Sequence, residues 1–179
     1  MQTILASRAI AVAPHAQAAQ SALAVLREGG NALEAMIAAA ATIAVVYPHM
    51  NAIGGDGFWV INGPRGVPGG IDASGRSARA ASREWYAARG LGQGLSAASI
   101  PFRGPLAALT VAGTVSGWGA AYQLSRQSLG GRLPLARLLE DAIYLAREGA
   151  PVTRSQSALT AAKQAELQGV AGFAETFLV

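Results

Sequence analysis

A chain of 179 residues, 51% hydrophobic and 13% charged, is long and apolar enough to bury a core. It has no cysteine, which excludes a disulfide scaffold, a thiolate zinc site and a cysteine nucleophile. The net charge is +4, but the basic residues are spread along the chain and all except Lys163 are arginines, a pattern that argues against nucleic acid and suits a small acidic substrate.

Residues 1–10 show neither a basic n-region nor a long apolar h-region. No signal peptide is expected, and the default location is cytoplasmic, or periplasmic for a processed N-terminus. Residues 4–12 are short and apolar and fit an edge strand. A helix is expected from His15 to Glu28, with Ala19, Ala22, Leu23 and Leu26 on one face. Gly29 and Gly30 end it. Asn31 is an N-cap, and Glu34 stands three residues on, where a capping box needs its acid. Residues 32–46 are almost continuously apolar. A helix apolar all round is a buried one, and this one is too short to cross a bilayer and carries Glu34. Pro48 closes it.

Gly54-Gly55-Asp56-Gly57 then demands a sharp turn or a close approach, with at least one of its glycines expected at positive φ. Asp56 there either bonds the backbone of its own turn or meets a substrate. Residues 58–61 read as a buried strand, 62–66 as a hairpin loop, and Ile71-Asp72 as part of the returning strand. Residues 74–81 are small and basic, with Arg76 and Arg79. Residues 82–89 form a short helix capped by Ser82. Residues 90–104 make a long loop rich in glycine, serine and proline. Residues 109–115 fit a short strand or an extended turn, and 116–128 a helix stopped by Gly130 and Gly131. Pro134 opens the next helix, which ends at Gly149. Residues 155–168 make a last, more polar helix, and the chain closes on an apolar stretch, 170–179.

Three of these segments together carry a family resemblance. Gly29, Gly30, Asn31, Ala32, Pro48, Gly54, Gly55, Gly57 and Phe58 are similar to a pattern near the N-terminus of the γ-glutamyltranspeptidase large subunit, with Glu34 at the family's acid and Asp56 in place of a glycine. Residues 110–117 resemble its "VPGTVxG" turn and residues 145–149 its "LARDG" motif. The resemblance runs from about residue 8 to 160. It implies an α/β fold, the four-layer αββα sandwich of the N-terminal-nucleophile hydrolases, of which this chain is the helix-rich large-subunit part. Residues 1–179 are then a single partial domain, completed by a downstream or second chain.

The resemblance also implies the chemistry. A precursor cleaves itself, and the new N-terminal threonine of a catalytic small subunit attacks a γ-glutamyl amide, its own amine serving as base. Thr3, Thr42, Thr110, Thr114, Thr153, Thr160 and Thr176 lack the sequence context of that nucleophile, so no catalytic residue is expected in this chain. The large subunit's contribution is an arginine that grips the substrate carboxylate, for which a guanidinium fork is suited. In the family it stands in "DFREMAP". The matching stretch here is Asp72-Ala73-Ser74-Gly75-Arg76-Ser77, which puts Ser74 at the arginine's position and Arg76 two residues later. Arg76, Ser74 and, as a fallback, Arg79 are the substrate-binding candidates. The alternative for Arg76 is a solvated loop charge.

His15 and His49, the only histidines, lack the paired carboxylates of a metal site and read as a helix N-terminal residue and a loop residue. Glu34 reads as the capping acid. No metal or cofactor is implied, and no membrane or nucleic-acid partner. The leading function is a γ-glutamyltranspeptidase-like amidase acting on glutathione or a related γ-glutamyl compound, by hydrolysis or transfer. An oxamate-amidohydrolase-like hydrolase of small carboxylate-bearing amides is the alternative, and a non-catalytic binding or assembly module is the reading from another class.

Overall fold

The computed structural model describes residues 3–63, 68–91, 100 and 104–178. It is organised on α2 (Ala32–Val46). The capping box is present in full: Asn31 Oδ1 accepts from the amides of Leu33 and Glu34, at 3.0 and 3.1 Å, and Glu34 Oε2 accepts from the Asn31 amide at 2.9 Å. The helix before it, α1 (Ala16–Arg27), stops as its sequence dictates. Gly29 takes φ +86°, and the Gly30 and Gly29 amides return to the carbonyls of Val25 and Leu26, a Schellman ending. This brings the chain straight back along α1, and the two helices pack closely because alanines line the seam.

α2 also packs on α5 (Leu135–Glu148) and α4 (Thr114–Ser128). Ala22, Val25, Ala35, Ile37, Ala38, Ala39, Ala121 and Leu138 form the core, with Trp59, Ile71, Trp118 and Leu133 packed against it. Ile37, Val25 and Leu138 are at most 1% exposed. Arg137, on α5, forks onto both carboxylate oxygens of Glu28 and ties α5 to the end of α1.

β1 (Gly57–Asn62) and β2 (Pro68–Ala73) form an antiparallel hairpin in which Trp59 faces Ile71 and Gly57 faces Ala73. α4 lies against it. Gly117 makes this possible, since a β-carbon there would stand 2.7 Å from that of Ala73 and 3.5 Å from the Trp59 indole nitrogen. The rest is peripheral: α3 (Arg83–Ala87) capped by the Ser82 hydroxyl, a 3-10 turn (Pro105–Ala107), α6 (Arg154–Leu167) and α7 (Phe173–Phe177). Among the described residues no helix is long and apolar enough to cross a membrane.

Four local expectations are corrected. Residues 4–12 form no strand, and Ile4 and Leu5 stand in solvent, with no described sheet edge beside them to pair with. β1 is half-buried, and on one face only. Trp59 and Ile61 turn inward, while Phe58 and Val60 are 70% and 95% exposed, because α4 covers one side of the hairpin and nothing described covers the other. None of Gly54, Gly55 and Gly57 has positive φ. The turn is shaped instead by the Gly55 carbonyl, which accepts from the Gly113 and Thr114 amides and from Thr114 Oγ1 at 3.0, 2.9 and 2.7 Å. α4 begins two residues earlier than its sequence suggested, since Thr114 is drawn into its first turn. The expected loop at 62–66 falls on residues 64–66 outside the described set, as does most of the loop at 90–104.

Candidate functional site

The candidate residues leave the end of β2 and meet two other segments. The geometry starts from small residues that permit contact between backbones. A β-carbon on Gly75 would run into the Val111 carbonyl oxygen, and one on Gly113 into the Ala73 carbonyl oxygen. Glycine at both positions lets residues 110–114 lie directly on 73–77. Ser77 and Thr110 bridge as isolated β partners, and the Val111 amide donates to the Arg76 carbonyl at 3.0 Å.

Side chains then lock the loop. Asp72 Oδ1 accepts from the Ser74 amide at 2.9 Å, the turn that aspartate favours two residues upstream. The Ser74 hydroxyl, joined by that amide, holds the Asp72 carboxyl below its ordinary range. Ser74, the residue that the family resemblance puts at the arginine's position, is therefore engaged by Asp72. Asp56 Oδ1 accepts from the Gly75 amide at 2.8 Å and from Thr110 Oγ1 at 3.3 Å. Its bonds thus go neither to its own turn nor within β1, but to both segments it faces. Arg76 and Arg79 are exposed, and neither pairs with a described carboxylate. The structure brings Ser74 and Arg76 onto one clamped loop. Arg79 follows in the turn before α3, beyond the clamp.

In the sequence Thr110, Val111 and Gly113 stand out only as part of a short strand or extended turn, and nothing local to them indicates contact with the arginine loop. The signal lies in the glycines, because a carboxylate between Gly55 and Gly57 and an arginine preceded by Gly75 both leave room for a backbone neighbour. Beside Asp56 a groove of about 270 Å³ opens between α2, β1 and α4, lined by Met36, Asn51, Phe58, Thr114 and Trp118 among others. A second hollow, of about 280 Å³, is lined by His49, Leu159, Lys163, Phe173 and Phe177 and shares no residue with the arginine loop.

His15 caps α1, its Nδ1 accepting from the Gln17 amide at 3.3 Å. His49 packs edge-on against Tyr47 with ring centroids 4.2 Å apart. Glu34, fully buried, does more than cap. Its Oε1 accepts from the amides of Arg132 and Leu133 at 2.8 and 2.9 Å, and Asn31 Nδ2 donates to Ser125 Oγ and the Leu129 carbonyl. These are structural roles. Among the described residues no three His, Asp or Glu side chains gather as a metal ion would require.

The family model described as gamma-glutamyltranspeptidase matches residues 18–179. The chain belongs to the γ-glutamyltranspeptidase family. Within that family it is 57% identical, over 98% of its length, to the oxamate amidohydrolase proenzyme of Klebsiella pneumoniae, covering 32% of that protein. It is 37% identical, over 87% of its length, to the glutathione hydrolase-like YwrD proenzyme of Bacillus subtilis, covering 27% of it. The chain thus spans about a third or less of the curated relatives it matches. Among solved structures it superposes on Helicobacter pylori γ-glutamyltranspeptidase with a TM-score of 0.83 at 26% identity, covering 98% of this chain and 48% of that one. The γ-glutamyltranspeptidase of Pseudomonas nitroreducens gives 0.81 at 30%, covering 98% and 49%. The fold is therefore that of this family of N-terminal-nucleophile hydrolases, α/β in class, with the present chain as a helix-rich part of it.

Proposed function

We propose that the complete protein is an amidase that hydrolyses, or transfers the acyl group of, a small carboxylate-bearing amide, with Arg76 as the carboxylate anchor. Oxamate is the first substrate to test. The observation that carries this reading is the 57% identity to an oxamate amidohydrolase proenzyme across nearly the whole chain. Substrate chemistry supports it. In a γ-glutamyl amide three carbons separate the amide carbonyl carbon from that of the α-carboxylate, whereas in oxamate the two carbonyl carbons are bonded directly. One fixed guanidinium cannot grip both carboxylates relative to the same nucleophile. A departure at the family's arginine position, with Ser74 there and Arg76 two residues on, is the kind of change that a shorter substrate requires. The γ-glutamyl reading, which leads from the sequence alone, becomes the second, favoured by relatives named glutathione hydrolase in Pseudomonas aeruginosa and Escherichia coli.

In this reading residues 1–179 are a partial domain, and a second segment of the same precursor supplies the N-terminal threonine and covers Phe58 and Val60. No cofactor takes part. The chain made alone then melts broadly, and co-expression with the downstream segment gives a sharp transition. A sharp, cooperative melt of the chain alone would count against the partial domain.

The test of function is ammonia release from oxamate, and hydrolysis of a γ-glutamyl anilide, by the self-processed complete protein. Arg76→Ala is expected to raise KM for the carboxylate-bearing substrate tenfold or more, in line with the roughly 1.5–3 kcal/mol of a charged hydrogen bond. Arg76→Lys should recover part of the loss, lacking the bidentate fork. An unchanged KM in Arg76→Ala with a raised one in Arg79→Ala would move the anchor to Arg79. No effect in either would sink the arginine-loop assignment.

A further inference from the structure

We propose that Asp56 is a positioning residue that clamps the 74–77 loop and thereby sets the protein's preference for carboxylate-bearing amides, an inference that rests on Arg76 being the anchor.

The argument begins with what holds Arg76. A guanidinium at the end of a long side chain has many rotamers, and its fork discriminates a carboxylate only if the backbone beneath it is fixed. Here the backbone is held immediately before and at Arg76. The Gly75 amide, on one side, donates to Asp56 Oδ1 at 2.8 Å. The Arg76 carbonyl, on the other, accepts from the Val111 amide at 3.0 Å. The two attachments are not independent, because the same Asp56 oxygen also takes the Thr110 hydroxyl, one residue before Val111. Asp56 thus holds both the loop and the segment against which the loop rests. Its own backbone is fixed in turn, since the preceding Gly55 carbonyl carries three hydrogen bonds from Gly113 and Thr114.

The chemistry of the residue matters. Gly75 cannot contribute a side chain, because a β-carbon would strike the Val111 carbonyl. The loop at this point can be held only through its backbone amide, and the acceptor must come from elsewhere. A carboxylate is the strongest acceptor the side chains offer, roughly twice as strong as a neutral one. It reaches an amide nineteen residues away in sequence. An exposed carboxylate beside an anion-binding loop is otherwise a liability, since it repels the substrate. Its presence there is explained if clamping the arginine outweighs the repulsion.

Asparagine at 56 keeps an oxygen in the same place, and alanine does not. The experiment measures kcat/KM for oxamate and for oxamide, the same skeleton with the carboxylate replaced by a neutral amide, in the self-processed complete protein. The readout is the ratio of the two. Asp56→Ala is expected to lower the oxamate/oxamide preference tenfold or more, chiefly through KM for oxamate. Asp56→Asn should keep a preference close to that of wild type. Asp56→Ala combined with Arg76→Ala should lower the preference no further than Arg76→Ala alone, the non-additivity expected of two residues that act through one contact. Thr110→Val, which removes one donor and leaves the carboxylate, is the milder variant should Asp56→Ala fail to process, with a loss of about threefold. A merely structural role would lower both substrates alike and leave the ratio unchanged. If Arg76→Ala abolishes the preference while Asp56→Ala and Thr110→Val preserve it, the clamp is overturned and the anchor stands. If Arg76→Ala itself leaves the preference intact, both are overturned.

Discussion

Around Asn31 and Glu34, the polar groups that join α2 to the turn between α4 and α5 are partly or fully buried. Around Asp56, the polar groups that join the glycine turn to the arginine loop lie at its surface. The two regions use the same device, a carboxylate accepting backbone amides from a distant segment, in opposite surroundings. Glu34 is fully buried and takes three amides, those of Asn31, Arg132 and Leu133. Asp56 is exposed and takes one amide and one hydroxyl. Burial decides what each is worth. An unmet amide inside the protein retains its full desolvation cost, about 1–3 kcal/mol, whereas at the surface water replaces the lost partner and the net change is about 0.5–1.5 kcal/mol. The first carboxylate serves the fold, and the second can be altered without losing it.

The largest effect expected is therefore at Glu34. Glu34→Ala leaves three part-buried amides without their acceptor and empties a fully buried side-chain site, and should cost on the order of 3–5 kcal/mol, a large part of an ordinary domain's stability. Glu34→Gln, with one acceptor oxygen left, should fall between. Denaturant titration of the complete protein checks both. A loss below about 1 kcal/mol in Glu34→Ala would erase the contrast between the two regions.

Next comes Gly75→Ala. Its β-carbon meets the Val111 carbonyl, so loop 74–77 and segment 110–111 must part, with an overpacking cost of about 1–3 kcal/mol. Because the strain falls on the surface region, amide exchange should quicken at Val111 while α2 stays protected. Equal loosening of α2 would show that the regions are not separable. A smaller change is expected for Val60→Thr in the complete protein. The residue is 95% exposed in this chain, and a cost near 1 kcal/mol would mean that another segment covers it. A cost within about 0.5 kcal/mol would mean that water does.

The smallest effect is one of pH. The folded Asp72 carboxyl titrates below its ordinary value of 3.8, owing to the Ser74 hydroxyl and then the Ser74 amide. A lowered folded value means that this contribution is present above the ordinary value and is lost as pH falls through the folded one. Exchange of the Ser74 amide, corrected for its intrinsic rate, should gain an acid-dependent opening below about pH 3.8 that Asp72→Asn abolishes. Persistence of that opening in Asp72→Asn would assign it to another group.

The difference between the regions also explains what was legible in the sequence. The Asn31–Glu34 box, the Gly29 stop and the bounds of α2 follow from neighbours within four residues of one another, and the structure has them as read. The contacts of Glu34 with 132–133 and of Asp56 with Gly75 and Thr110 join segments far apart, and no local pattern encodes such pairings. The glycine turn misled for the same reason. Its glycines suggested positive φ, but the backbones that approach most closely are at Gly75 and Gly113. In the sequence β1 reads as wholly buried because Phe58-Trp59-Val60-Ile61 is apolar on both faces, and the described residues cover only the face that carries Trp59 and Ile61.

Glu34 also bears on how the chain is made. Its two oxygens are filled by a neighbour three residues back and by partners 98 and 99 residues ahead. When α1 and α2 have left the ribosome, the capping box can form, but the second oxygen has no partner and the face of α2 that receives Leu138 is bare. At about 5–20 residues per second, this state lasts several seconds before Arg132 and Leu133 appear. During that interval a charged carboxylate kept in water opposes premature burial of the alanine-rich helix. Closure of the α4–α5 turn onto Glu34 then supplies the two amides that compensate this carboxylate for leaving water.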